Sequence, residues 1–76
     1  MDNALIATRL KALRGSRTQK DVAGYIGVGQ STYAMYETGE RVPSDGVKMR
    51  IAQLYRRSVQ SIFFKGMVTE SENEEE

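Results

Sequence analysis

Gln30, Ser31, Ala34 and Met35 lie on one side of a stretch, residues 27–41, that reads GVGQSTYAMYETGER. Tyr33 and Tyr36 lie on the other side. Residues three apart on a helix are neighbours, so the two tyrosines share a face and can be buried together. Burial makes no demand on the opposite face, which is either solvated surface or a surface that touches something. Its groups are a carboxamide, a hydroxyl and two apolar side chains. These donate and accept hydrogen bonds or cover methyl groups, and they contain no nucleophile–base pair.

The rest of the chain does not supply one. Its 76 residues contain neither histidine nor cysteine. Imidazole acid–base chemistry, disulfides and the usual zinc sites are therefore absent. Adjacent carboxylates occur only at Glu74, Glu75 and Glu76, where nothing positions them. The glycine-rich GYIGVG, residues 24–29, follows no strand pattern and lacks the lysine of a phosphate loop, so it reads as a turn between helices. An enzyme is not expected, nor is a metal or a cofactor.

Charge is distributed unevenly. The formal net charge is only +1, yet five glutamates (Glu70, Glu72, Glu74, Glu75 and Glu76) crowd the last seven positions. Residues 1–69 hold eleven basic and five acidic side chains. A basic body with an acidic tail suggests a polyanionic partner, although a solvated body with a solubilising tail has the same composition. No long apolar run occurs near the N-terminus, so neither a signal peptide nor a membrane span is expected. The absence of cysteine fits a reducing, cytoplasmic compartment.

The elements that must position the reading face follow from periodicity and punctuation. Residues 3–14 place Ile6, Leu10 and Leu13 on one line, an amphipathic helix, and Gly15 stands where a left-handed residue ends it. Thr18 caps a second helix, with Asp21 at capping-box spacing and Val22, Ala23 and Ile26 facing inward. Ala23 is small enough to let the next helix approach. Gly27 supplies the positive φ of a sharp turn. The third helix runs from about Gln30 to Glu37, capped by Gly29 and ended by Gly39. Residues 39–43 form an exposed loop. Ser44 caps a fourth helix whose core face is Ile51, Ala52 and Tyr55, with Val47 and Met49 nearby. Ser58 caps a fifth, short helix carrying Val59, Ile62 and Phe63. The expectation is an all-α, compact five-helix bundle over residues 1–68, followed by a disordered acidic tail, 69–76.

The run TQKDVAGYIGVGQSTYAMYETGERVPS, residues 18–44, resembles the phage repressor/Cro-type helix-turn-helix regulators. The resemblance covers roughly residues 6–64. It is most specific at TQ (18–19), GVGQS (27–31), YE (36–37) and G-x-R-x-P-S (39–44). It implies a lambda-repressor-like fold and transcriptional regulation through operator DNA, usually as a dimer; a dimeric repressor is the leading expectation, and the residues do not distinguish it from an antitoxin or a restriction-modification controller. In that family the glutamine in the place of Gln19 bonds a phosphate and braces a neighbouring glutamine. The one in the place of Gln30 reads adenine; a carboxamide can pair with adenine N6 and N7 together, worth about 1–3 kcal/mol of discrimination. Ser31, Ala34 and Met35 then face the groove. Arg17, Lys20, Thr38, Arg41 and Ser44 are the further phosphate-contact candidates. The plain alternatives are a solvated helix start for Gln30, an exposed or protein-contacting Met35 and a solvated loop charge for Arg41.

Ala23, Gly27, Tyr33 and Tyr36 are structural in this reading. So are Arg14 and Glu37, whose family counterparts pair and tie the third helix to the first. The sequence departs from the pattern in the link between helices one and two. Only GSR separates Arg14 from Thr18, and Arg17 holds a slot that is usually apolar. The short link works against the Arg14–Glu37 pair and implies a shorter first helix or a tighter turn. Arg56 and Arg57 stand where a glycine and an aliphatic residue are usual.

One helix-turn-helix covers a half-site, so a homodimer on a palindromic operator is expected. The segment SIFFKGMV, 61–68, is the apolar surface available for it: Ile62, Phe63, Phe64 and Met67 are the candidates, with core packing the alternative for Phe63. The competing reading is a protein-interaction module of antitoxin or anti-repressor type, with the same fold and the hydrophobic end and acidic tail as its contacts.

Overall fold

The computed structural model describes residues 3–65. The expected tail, 69–76, and Met67 lie outside the described residues. Four α-helices occur in the order α1 (Asn3–Arg14), α2 (Gln19–Ile26), α3 (Gln30–Thr38) and α4 (Asp45–Tyr55), followed by a π-helical turn, Gln60–Phe64. No strand occurs among the described residues.

Local chemistry starts the helices. Thr18 Oγ1 accepts from the Asp21 N–H at 3.0 Å and Ser44 Oγ from the Val47 N–H at 3.4 Å, each satisfying a donor that a helix start leaves open. Replacing such a cap by alanine costs about 1 kcal/mol. Gly27 and Gly39 end α2 and α3 at φ +78° and +84°. In both places the next residue's N–H reaches back, from Val28 to the Ala23 carbonyl and from Glu40 to the Met35 carbonyl, each at 3.0 Å. That is the Schellman closure, which requires a left-handed residue at its corner. At Gly39 a side chain would also meet the Asn3 backbone oxygen at 3.4 Å.

The core joins all the elements. Ile6 and Leu10 of α1, Val22, Ala23 and Ile26 of α2, Tyr33 and Tyr36 of α3, Ile51 and Ala52 of α4, and Ile62 and Phe63 of the π turn form one cluster. The tyrosine rings meet edge to face, centroids 6.1 Å apart at 85°, the arrangement their quadrupoles favour. α1 packs on α3 and on the π turn, while α2 packs on α3 and α4.

Several sequence expectations are corrected. Ile62 and Phe63 are 1% and 0% exposed, so they complete the chain's own core and have no surface to offer a second copy. Phe64 is half-buried. The fifth helix forms as expected, with Ser58 accepting from the Ser61 N–H at 3.0 Å, but it is π-helical, closed by Lys65 N–H to the Gln60 carbonyl at 2.8 Å. The Arg9 guanidinium donates to the carbonyls of Ser61, Ile62 and Lys65 and so satisfies acceptors at its end. Met49 turns outward, and Lys48 takes an inward position. The Lys48 ammonium lies 5.7 Å and 5.1 Å from the Phe63 and Phe64 ring centres, within cation–π range. Pro43, expected in an exposed loop, is buried.

Candidate nucleic-acid interface

α2, the Gly27 turn and α3 form the helix-turn-helix pair. Its inner side is held by Glu37, only 2% exposed, near the end of α3. Arg14 at the end of α1 donates to Glu37 through Nε at 2.6 Å and Nη2 at 3.1 Å, a bidentate fork. Gln19 at the start of α2 donates through Nε2 at 3.2 Å. One carboxylate thus joins three helices. Burial alone would raise the Glu37 pKa, but the hydrogen bonds donated by Arg14 and Gln19, with the Tyr33 hydroxyl close by but outside hydrogen-bonding geometry, outweigh it and hold the pKa below its ordinary value.

The pair forms despite the short link, because the link is a tight turn rather than a truncation of α1. The Arg17 N–H bonds the Arg14 carbonyl at 3.0 Å, and Arg14 Nη1 bonds the Arg17 carbonyl at 2.8 Å. Arg17, in the slot usually apolar, lays its guanidinium 5.8 Å from the Tyr55 ring centre. The hydroxyls of Tyr33 and Tyr55 are buried behind this turn without a hydrogen bond. Burial, the largest cause for each, raises both phenol pKa values.

The outer side of α3 is open. Gln30 and Ser31 are exposed, and Ala34 and Met35 are half-buried. Gly29 caps α3 without a side-chain bond, so the first backbone N–H groups of α3 point outward beside Gln30. That end of the helix carries partial positive charge.

The rim residues fall into two groups. Lys20 and Arg41 are exposed, with no side-chain partner among the described residues. Gln19, Thr38 and Ser44 already have internal contacts: Gln19 with Glu37, Thr38 Oγ1 with the Met35 carbonyl at 3.1 Å, and Ser44 as the α4 cap. Sequence reasoning missed Glu40, exposed in the same loop beside Thr38, which puts a negative charge between Thr38 and Arg41. It also missed Arg50, whose Nη1 donates to the Ile26 carbonyl at 3.1 Å and supports the end of α2. The signal for Glu40 was present in the letters; that for Arg50 lay only in the packing of α4 on α2.

A family model described as helix-turn-helix matches residues 10–62, more than half of the chain. Its span runs from Leu10 in α1 to Ile62 in the π turn and includes every outward residue of α3. Neither the curated proteins nor the solved structures offer a match.

Proposed function

The chain belongs to the phage repressor/Cro-type helix-turn-helix family of DNA-binding transcriptional regulators, and we propose that it acts as a sequence-specific, dimeric repressor with α3 in the major groove. The observation that carries this reading is the contrast across α3. Glu37 fixes the helix from within, while Gln30 and Ser31 stand exposed at its open N-terminal end. An element held rigidly and presenting unsatisfied hydrogen-bonding groups is what base readout needs.

In this arrangement Gln30 pairs with an adenine edge, Ser31 adds a second polar contact, and Ala34 and Met35 cover thymine methyls. Lys20 and Arg41 neutralise phosphates, assisted by Arg17, Gln19, Thr38 and Ser44. The Gln19 amide has one hydrogen directed to Glu37 and a second left for a phosphate oxygen. Two copies place their α3 helices about 34 Å apart, one turn of DNA, on a palindromic operator. With Ile62 and Phe63 buried in the core, Phe64 is the candidate for the contact between copies that remains among the described residues.

Fluorescence anisotropy with duplex DNA at two salt concentrations tests the reading. Binding to random duplex, weakening steeply as salt rises, is the expected result, because each neutralised phosphate releases counterions. No binding at low salt would overturn it.

A further inference from the structure

Between α2 and α4 lies a concavity of about 400 Å³ lined by Arg17, Tyr25, Arg50, Gln53, Leu54 and Arg56. Three guanidinium groups therefore face one space. None of them has a carboxylate partner: the ion pairs among the described residues are Arg14–Glu37 and Lys48–Asp45. Arg50 directs one N–H to the Ile26 carbonyl, and Arg17 lies over Tyr55. Each guanidinium has five donors, so most of them remain available.

Arg56 adds a second observation. It ends α4 at φ +56°, the only non-glycine residue with positive φ among the described residues. Glycine takes this conformation without a steric penalty, and arginine does not. The chain thus holds a like charge in a strained conformation beside two others. A strained residue kept at such a place points to a contact that uses its side chain.

The chain itself contains a matching anion. We propose that the acidic segment, residues 70–76, docks in this concavity, with its glutamates accepting from Arg17, Arg50 and Arg56. Five carboxylates stand in those seven positions. The geometry allows the contact. Arg56 adjoins Arg57, which lines a second groove together with Lys65, the last described residue. Eleven residues follow Lys65, and an extended chain of that length spans about 37 Å, more than the 23 Å and 22 Å shorter dimensions of the body. A short tether keeps the local concentration of carboxylates in the millimolar range. The second groove competes poorly, because its Arg9 already donates to three carbonyls.

The docked segment is a competitor for DNA. Arg17 lies in the concavity and also belongs to the proposed phosphate-contact set, so a phosphate and a glutamate cannot both take it. This consequence rests on the DNA-binding reading; the docking itself does not.

The test uses the full chain, labelled with ¹⁵N, and a variant with all five glutamates of residues 70–76 changed to glutamine. The expected result is that the arginine side-chain resonances of Arg50 and Arg56 differ between the two chains at low salt and converge at high salt. Arg56→Gly, which suits the left-handed position and so keeps the fold, removes one donor and should move the glutamate resonances of the segment. Identical Arg50 and Arg56 resonances in both chains would overturn the proposal. So would shifts that appear only on adding inorganic phosphate or duplex DNA, because the concavity would then serve a free anion or the DNA backbone. Anisotropy reads the consequence: if the segment is docked about nine-tenths of the time, the all-glutamine variant binds random duplex about tenfold more tightly at low salt. Resonance differences without any DNA binding would refute the DNA reading and leave the docking standing.

Discussion

The two sides of α3 obey different rules. The inner side is determined several times over: Tyr33, Tyr36 and Glu37 are 0%, 4% and 2% exposed, and Glu37 alone receives donors from two other helices. On the outer side Gln30 and Ser31 are exposed and Ala34 and Met35 half-buried, and among the described residues no side-chain hydrogen bond holds any of the four. On the proposed reading, stability resides on the inner side and recognition on the outer. A change on the inner side should alter folding first and DNA binding only through it. A change on the outer side should leave folding alone.

The largest expected break is at Glu37. Glu37→Ala leaves the Arg14 guanidinium without its carboxylate and Gln19 without an acceptor. Removing one partner of a fully buried pair costs about 3–5 kcal/mol. The Arg14 side chain is 24% exposed, so water takes up part of the loss and about 2–3 kcal/mol is expected in urea unfolding. The same carboxylate sets an acid limb. Its folded pKa is below the ordinary value, so its stabilisation is present above the unfolded value near 4.3 and is lost as pH falls through the folded value. Wild type should therefore lose stability below about pH 4 more steeply than Glu37→Gln. Equal slopes would mean that Glu37 is not the carboxylate responsible.

Gly39→Ala comes next. The residue sits at φ +84°, and the added Cβ would meet the Asn3 backbone at 3.4 Å. Holding an L residue in the left-handed region costs about 1–2 kcal/mol, and the Asn3 contact, at ordinary van der Waals distance, leaves the backbone conformation as the source of the loss. Thermal unfolding would read the loss directly. A loss well under that range would mean that the end of α3 opens and lets the left-handed corner relax.

These positions also mark what was legible in the sequence. Thr18, Gly27, Gly39 and Ser44 act through bonds to residues three or four positions away, so spacing alone identifies them. The tyrosines and the core of α1 and α2 follow from helical periodicity. What could not be read depends on elements distant in the chain. Lys48 turns inward because the Phe63 and Phe64 rings receive its ammonium. Ile62 and Phe63 looked like surplus apolar surface because the core they complete, with the π turn packed on α1, exists only after folding. Arg17 in an apolar slot made sense only once Tyr55 lay beneath it. For the candidate interface, the outward residues of α3 were legible, while the internal commitments of Gln19 and Thr38 were not.

A smaller effect is expected at Tyr55. Its hydroxyl is buried without a hydrogen bond among the described residues, so the folded state bears a desolvation cost with no return. Tyr55→Phe should leave stability at neutral pH unchanged or raise it by up to about 1 kcal/mol. Burial raises this phenol's pKa, so the neutral form is favoured on folding and its contribution is lost as pH rises beyond the unfolded value near 10. Removing the phenol should shallow the alkaline limb of the stability profile. A loss of 1 kcal/mol or more at neutral pH would show that the hydroxyl has a partner after all.

The smallest effect on stability belongs to Gln30→Ala, and it divides the two sides of α3 most sharply. Gln30 is exposed, its side chain bonds to nothing among the described residues, and it sits at the first position of a helix where alanine is well tolerated. Unfolding free energy should stay within about 0.5 kcal/mol of wild type. Binding should change in a specific way. If Gln30 reads adenine as proposed, loss of the bidentate contact removes about 1–3 kcal/mol of preference at a single base pair, while affinity for random duplex and its dependence on salt stay as they were. A binding-site selection run on both proteins would show one column of the preferred sequence flattening and the others unchanged. A uniform loss over all sequences would place Gln30 among the residues that only position the helix. Base discrimination would then rest on Ser31, the apolar pair Ala34 and Met35, and the shape of the DNA itself.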